Sequence, residues 1–495
     1  MAKKEAKYLK EYKNLSMLEK LKYNLSKDLF TGAPPKKVVN DFQISFLGAT
    51  KTVTGSKYLL ESGKTKVLVD CGLFQGLYDL RRRNWNPLPV HPRNIDAVIL
   101  THAHLDHSGY LPLLVKNGFK GKIYCTNSTY DLCKILLPDS GFLQEEDARY
   151  AKKHKFSKHK DPKPLYTQKD AVATFRYFKI VNFDEEIKIS DDISFKIIRA
   201  GHIIGAGSVI VKSKNTSILF SGDLGRPNSP IVHNPSTIPL VDYIVCESTY
   251  GDRLHSDSDP KEKLDEIINK TVAKGGKVII PAFSVGRTQK ILYYINQLKN
   301  NGRIPDLTVF LDSPMSIKVT TLTDDYEEEQ KLTREGYEDI YKSVKFCITR
   351  EQSKRIFNYP DPAIIISASG MATGGRVLHH IANYGPKPNC TIIFAGYQAE
   401  GTRGRDLEDG KKEVKIHGEM VHVRAKIEKL SNMSDHADSG EILNWLKTMP
   451  GKPKKIFITH GELASSEALA KKIETELGWK TEIPDYLEME KLPNK

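Results

Sequence analysis

Residues 97–112, AVILTHAHLDHSGYLP, place His102, His104, Asp106 and His107 within six positions, directly after an apolar run. Imidazole and carboxylate groups without thiolate suit Zn2+ or Mn2+. In an extended turn, residues two apart project to the same side, so His102 and His104 can share one ion. Asp106 and His107 follow where the chain bends into a helix, and can serve a second ion nearby. A strand end holds ligands rigidly while one face stays open to solvent. Three further apolar runs end alike: IIRAGHIIGAGS in His202, ILFSGDLG in Asp223 and IFITHGE in His460. Each stands beside glycine, where backbone can approach closely. A lone histidine at a strand end is ordinarily structural. Four such strand ends, one of them HxHxDH, point to a metal centre. His154, His159, His255, His379, His380, His417 and His422 fall in Lys-rich, helical or edge-strand settings and are read as structural. The acidic stretch GFLQEEDARY lacks strand-end placement and is not read as a site.

These ligands need a frame of strands, and the chain supplies one. QISFLGA, SKYLLES, TKVLVDCG and IDAVILTH are short apolar or alternating segments between turn residues, as expected of strands. LPLLVKNG reads as a helix stopped by Gly118, and residues 141–175 as polar helix and loop. Strands resume with ISFKIIRAGH, GSVIVKS, SILFSGD and VDYIVCES. Beyond Glu247 the rhythm changes. A helix with Asp259 as N-cap and Pro260 in its first turn leads to KVIIPAF, GRTQKILYYINQLKNNG, LTVFLDSP, AIIISAS, RVLHHIANYG and TIIFAGY. Alternating strands and helices of these lengths imply βαβ units on a parallel sheet. A Rossmann-like segment therefore interrupts a different αβ domain, which the C-terminal helix, strand and helix close.

The chain has 495 residues, 39% hydrophobic and 27% charged, which suits a soluble globular protein of two or three domains. No apolar run approaches the roughly 18 residues that span a bilayer, so no membrane association is expected. The charged N-terminus has no apolar core of a secretory signal. The six cysteines form no CxxC pair, as in a cytoplasmic protein with reduced thiols. A formal net charge of +14 points to a polyanionic partner, nucleic acid first.

HAHLDH, with His202, Asp223 and VDCG, resembles the metallo-β-lactamase fold. CESTYG (Glu247), SDHAD (His436) and ITHGE (His460) resemble the further motifs of its β-CASP branch, and PAFSVGRTQ, SASGMATGG and GYQAEGTRGR add matches. The resemblance covers nearly everything after residue 41. It is nearest to bacterial and archaeal relatives of the endonuclease subunit of the cleavage and polyadenylation factor. It implies an αββα sandwich with an inserted Rossmann-like β-CASP domain. The parts are a basic extension at 1–40, the metallo-β-lactamase domain at 41–250 and 431–495, and the β-CASP domain at 251–430. It implies two Zn2+ ions, with Mn2+ as the alternative. His102, His104 and His202 would hold one, Asp106, His107 and His460 the other, and Asp223 both, with Asp70 orienting a ligand or the water between the ions. His436 would give a proton to the departing 3′ oxygen, with Glu247 as its partner. The implied activity is hydrolysis of single-stranded RNA, internally or from the 5′ end, to a 5′-phosphate and a 3′-hydroxyl. A homodimer is compatible with the resemblance.

One position departs from the family. The residue before His436 is usually small or apolar, and here it is Asp435, which either acts on His436 or turns to solvent. Ser369, Gly370, Met371, Gly374 and Gly375 of SASGMATGG open a helix after a strand, so their N–H groups can face an anion. Arg376, Arg403 and Arg405 are candidate phosphate partners. The competing readings are a DNA nuclease of the same superfamily and a non-catalytic RNA-binding subunit, with a small-ester hydrolase behind them. His460 favours RNA, the complete ligand set favours catalysis, and the inserted domain and basic charge favour a polymer.

Overall fold

The computed structural model describes residues 38–154, 161–256 and 258–493. Nearly all of the expected basic extension, and His159, lie outside the described residues. Two seven-stranded sheets lie face to face. The first runs Met489–Lys491, Val39–Phe46, Tyr58–Gly63, Thr65–Val69, Ala97–Ile99, Lys122–Cys125, Phe178–Ile180. The second runs Thr481–Glu482, Lys455–Thr459, Tyr243–Glu247, Thr216–Phe220, Gly207–Ser213, Ser194–Arg199, Ile187–Lys188. Strand side chains alternate between faces. One set from each sheet, including Ile44, Leu60, Val67 and Val69 against Phe195, Val209, Phe220 and Phe457, fills the space between them. The opposite set packs under helices. Leu111–Lys116 and Asn127–His154 cover the first sheet through Leu111, Leu114, Leu132 and Leu136. Ser439–Leu446 and Leu463–Leu477 cover the second through Ile442, Leu443, Leu469 and Ile473. This is an αββα sandwich, and the C-terminal strands extend both of its sheets.

Between Glu247 and His436 the chain builds a third, six-stranded sheet: Val344–Phe346, Val309 with its neighbours in Thr308–Leu311, Ala363–Ser367, Val278–Pro281, Thr391–Phe394, Lys426–Lys429. Every pairing in it is parallel. Its inner strands read as nearly continuous apolar runs because both faces are covered. Val278, Ile280 and Ile364 meet the helices Pro260–Val272 and Arg287–Asn300, while Ile279, Ile365 and Ile392 meet Arg376–Tyr384. The expected N-cap holds: Asp259 accepts from Lys261 N at 2.9 Å, with Pro260 in the first turn. The sequence placed helix and loop at 141–175, but one helix runs from Asn127 to His154 through Pro138. Proline ordinarily stops a helix, which hid its first half. No helix among the described residues is long and apolar enough to cross a membrane.

The strands carrying candidate ligands end level with one another. Thr216–Phe220, Tyr243–Glu247 and Lys455–Thr459 are parallel neighbours, with Phe220 opposite Val245 and Glu247 opposite Thr459. Asp223, Glu247 and His460 therefore emerge on one rim. Asp70 and Thr101 leave the parallel pair Thr65–Val69 and Ala97–Ile99 on the other sheet. Two glycines let these rims close. A Cβ on Gly72 would stand 1.5 Å from Asp106 O, and one on Gly225 would stand 1.7 Å from Gly201 O. Gly225 also bridges to His436, so its small size lets the His202 and His436 segments lie together. Gly225→Ala should cost about 1–3 kcal/mol of stability, the usual range for forced overpacking. It should lower the urea midpoint, whereas Gly374→Ala, whose Cβ meets nothing within 4 Å, should leave the midpoint in place.

Candidate metal centre

The rims bring the seven candidate ligands together in two groups. His102 Nε2 lies 3.1 Å from His104 Nδ1, and His202 Nε2 lies 3.3 Å from the same His104 atom. Asp223 Oδ2 stands 3.3 Å from His102 Nε2 and 3.6 Å from His202 Nε2. In the second group His107 Nε2 and His460 Nε2 are 3.1 Å apart, with Asp106 Oδ2 at 4.0 and 3.5 Å from them. Asp223 Oδ1 lies 3.1 Å from His107 Nε2 and 3.6 Å from His460 Nε2. One carboxylate thus turns one oxygen to each group.

These separations have a physical meaning. Ring nitrogens that converge in this way set lone pairs against each other, or need a proton between each pair. Around a tetrahedral zinc with bonds of about 2.0–2.1 Å, ligand atoms stand about 3.3–3.4 Å apart, close to the spacings here. Asp223 Oδ1 is buried, and it faces the Nε2 atoms of His107 and His460. Four carboxylates, Asp70, Asp106, Asp223 and Glu247, surround the rings, and two divalent cations carry the matching formal charge. The donor set fits two such ions.

Burial tunes the groups accordingly. Burial pulls the His104 imidazole down to about 3 and holds His202 well below its ordinary value, so both rings present lone pairs. His107 differs. Burial opposes its charge, but Asp223 and Asp70 lift it well above the ordinary value. Without metal it holds the site's proton between two carboxylates, and a bound cation would displace that proton. Asp223 is pulled well below the usual carboxylate range, because His107, His460, His102 and His436 together outweigh its burial.

A second layer orients these rings. Asp70 Oδ2 lies 2.7 Å from His107 Nδ1, and Asp70 itself accepts from Thr101 N at 2.8 Å and Thr101 Oγ1 at 2.9 Å. Thr249 Oγ1 lies 3.2 Å from His460 Nδ1. Asp70 and His460 both have left-handed backbone, φ 59° and 49°. Side chains other than glycine seldom adopt this, and such strain gathers at functional sites. Thr101 and Thr249 were missed in the sequence. Their only signal was adjacency to His102 and to Glu247, and hydroxyls occur everywhere.

His436 approaches from the rim. Its Nδ1 lies 3.2 Å from Glu247 Oε2, and its Nε2 faces Asp223 Oδ2 at 3.9 Å. Burial opposes its charge, but Glu247 and then Asp223 lift the imidazole to about 9. Its side chain is 18% exposed and that of Asp106 21%, against 0–4% for His102, His107, His202, Asp223 and His460. The centre therefore opens where His436 and Asp106 stand. His255, read as structural, is buried beneath it with Nε2 3.0 Å from His436 O. Asp435 does not face solvent. It is buried against Arg287 and Lys290 of the third-sheet domain.

The expected anion turn is tied up internally. Ser369 Oγ accepts from Thr373 N at 3.0 Å and Gly374 N at 3.4 Å, and Gly370 O and Met371 O accept from Gln398 and Gly404. Gly375 caps the helix Arg376–Tyr384 without a side-chain bond. Arg376 turns to Asp312 at 2.7 Å and to the Cys347 and Ile348 carbonyls. Arg403 donates to Lys415 O at 2.6 Å and to Thr373 O at 3.1 Å, and Arg405 pairs with Asp409. The seven candidate ligands, Asp70, His436 and Glu247 converge, whereas Arg376 and Arg403 tie segments of the third-sheet domain together and Arg405 pairs within its own helix. Among the other histidines, buried His380 lies 2.7 Å from Asp312, and His379 stacks on His417.

Comparison with known proteins places this geometry. The Metallo-beta-lactamase superfamily profile matches residues 52–281, the Beta-Casp domain 288–407, and the Zn-dependent metallo-hydrolase RNA specificity domain 420–484. The chain is 34% identical over 431 residues to Ribonuclease TTHA0252 of Thermus thermophilus, covering 86% of this chain and 94% of that protein. It is a Beta-Casp member of the metallo-beta-lactamase superfamily. An RNase J-like protein of Methanocaldococcus jannaschii is 32% identical over 455 residues, 90% of this chain and 97% of that one. Transcription termination factor FttA of Methanosarcina mazei is 30% identical over 461 residues, 88% and 70% of the two chains. A solved structure of a protein of unknown function from Enterococcus faecalis V583 shares the fold, with TM-score 0.50 at 14% identity, 91% of this chain and all of that one.

Each of the two donor groups should take a divalent ion. Elemental analysis of protein purified without chelator should find close to two equivalents, and Asp223→Ala should lose both, since one carboxylate serves both groups. In the chelated protein His436 should titrate near pH 9 by NMR, and Glu247→Gln should lower that value. Since the folded value is raised from 6.5, this pairing stabilises the metal-free fold fully below about pH 6.5. That contribution is lost as pH rises through about 9.

Proposed function

We propose that this protein is a two-metal ribonuclease that hydrolyses phosphodiester bonds of single-stranded RNA, leaving a 5′-phosphate and a 3′-hydroxyl. The observation that carries the reading is the reach of Asp223 to both histidine groups, with His436 on the open side against Glu247. The relatives named as ribonuclease and RNase J-like support RNA as the polymer. Zinc is the expected metal, because the donors are mostly imidazole at tetrahedral spacing. When bound, two such ions lower the pKa of water and offset charge building on the phosphate oxygens.

The chain's own residues do the rest. Asp70 and Thr249 keep the His107 and His460 rings turned to the centre. Glu247 accepts a hydrogen bond from His436 Nδ1–H, which leaves Nε2 as the nitrogen that faces the substrate. A general acid must hold its proton at working pH, and the raised pKa of His436 provides that. Its proton goes to the leaving 3′ oxygen.

A polymer needs a path to this point. At the domain junction a cavity of about 850 Å3 is lined by Tyr250 and Tyr397, and by Arg253, Lys274, Arg405, Lys412, Arg424, Lys426 and Lys429 against Glu408, Asp409, Glu428 and Glu462. The basic excess suits a phosphodiester backbone, and Tyr250 links this cavity to the centre, with its ring 5.9 Å from that of Tyr397 and 6.3 Å from that of His436. A second cavity, lined by Lys51, Arg83 and Glu400, shares Glu462 with the first. The cleft so walled admits a single strand more readily than a duplex roughly 20 Å across.

Single-stranded RNA should be cut fastest, its DNA counterpart much more slowly and a perfect duplex slowest. DNA preferred over RNA would make the protein a DNA nuclease instead. End-labelled RNAs with triphosphate, monophosphate or hydroxyl 5′ ends would separate internal cleavage from trimming by their product ladders. His436→Ala should keep both metals and slow cleavage by about 10²- to 10⁴-fold. If it loses metal instead, His436 is a ligand.

A further inference from the structure

The proton donor sits on a segment gripped from behind by the inserted domain. Asp435, Arg287 and Lys290 are 8%, 4% and 6% exposed. Arg287 Nε donates to Asp435 Oδ2 at 3.0 Å, its second terminal nitrogen lies 3.0 Å from the same oxygen, and Lys290 Nζ pairs with Oδ1. Lys290 also donates to Ser434 O at 3.4 Å, and Ser434 Oγ accepts from His436 N at 3.3 Å. Arg287 and Lys290 stand one turn apart on the helix Arg287–Asn300, so they reach the same carboxylate. The helix N-terminus also faces that carboxylate: a Cβ on Gly286, its N-cap, would stand 3.3 Å from Asp435 Oδ2.

His436 forms a β-bridge with Gly225. In extended backbone successive side chains point to opposite sides. Asp435 therefore turns to the inserted domain where His436 turns to the metal centre. We propose that Asp435 is a positioning residue for His436, a buried carboxylate through which Arg287 and Lys290 set the donor's distance to the leaving oxygen. This rests on the reading of His436 as proton donor. A purely structural tie between domains would affect binding, metal content and every substrate alike. A positioning role acts only on the step that needs the proton.

The test uses the full-length, metal-loaded protein and two single-stranded oligoribonucleotides. One is natural, and the other carries sulfur in place of the 3′ oxygen at the scissile bond, a leaving group that needs no proton. Asp435→Asn should keep its metals and hold KM within about 2-fold while kcat on the natural strand falls about 10- to 100-fold, part of the usual worth of a placed acid. On the sulfur strand the loss should shrink to less than about 3-fold, and in a His436→Ala background Asp435→Asn should add nothing further. Should Asp435→Asn fail to fold, with two cations left buried, Lys290→Met leaves a neutral Arg287–Asp435 pair and should give the same pattern at about 3- to 10-fold. An unchanged kcat, an equal loss on both strands, or lost metal would overturn the proposal. If the sulfur strand does not rescue His436→Ala itself, the donor assignment fails and this inference with it.

Discussion

A single buried carboxylate organises the molecule. Asp223 is 2% exposed, and its two oxygens face two sets of imidazoles at 3.1–3.6 Å. A buried anion is costly unless opposite charge is close. The chain meets that cost with whole architecture. Parallel strands end at one level so that histidines from both sheets arrive together, and Gly72 and Gly225 let backbones close to distances that a Cβ would forbid. Without an ion, protons supply the positive charge: Asp223 lifts both His107, which lies between it and Asp70, and His436. Metal affinity, pH and fold stability are therefore linked through the same few atoms.

The inserted domain meets the sandwich at its chemistry. It leaves after Glu247 and returns before His436, so its two ends stand at this contacting pair. Parallel sheets present the carboxyl ends of their strands to a crevice, and loops there carry function. Here the segments after Val278–Pro281 and Thr391–Phe394 bring Arg287 to Asp435 and Tyr397 to Tyr250. The loop after Thr391–Phe394 also walls the basic cavity, through Tyr397 and Gln398.

The arginines show where local reasoning stops. Arg376 follows a glycine-rich turn after a strand, a setting suited to a phosphate. Its guanidinium instead joins Asp312, which also holds His380 and Ser353. Asp312 is 64 residues away in the chain, so no local pattern reveals the pairing. The Ser369 hydroxyl likewise takes N–H groups that the turn would offer to an anion.

The types of the candidate ligands, their clustering at the ends of apolar runs, and the change from alternating strands to βαβ rhythm were legible in the residues alone. These are local properties: periodicity, strand-end placement and glycine neighbours act within a few residues. Tertiary structure decided which groups meet. His107 and His460 are 353 positions apart, and His436 and Glu247 are 189 apart. Their contact depends on register across sheets. It also decided that Asp435, Arg287 and Lys290 are buried together, since a charged residue's burial follows from partners brought by distant packing.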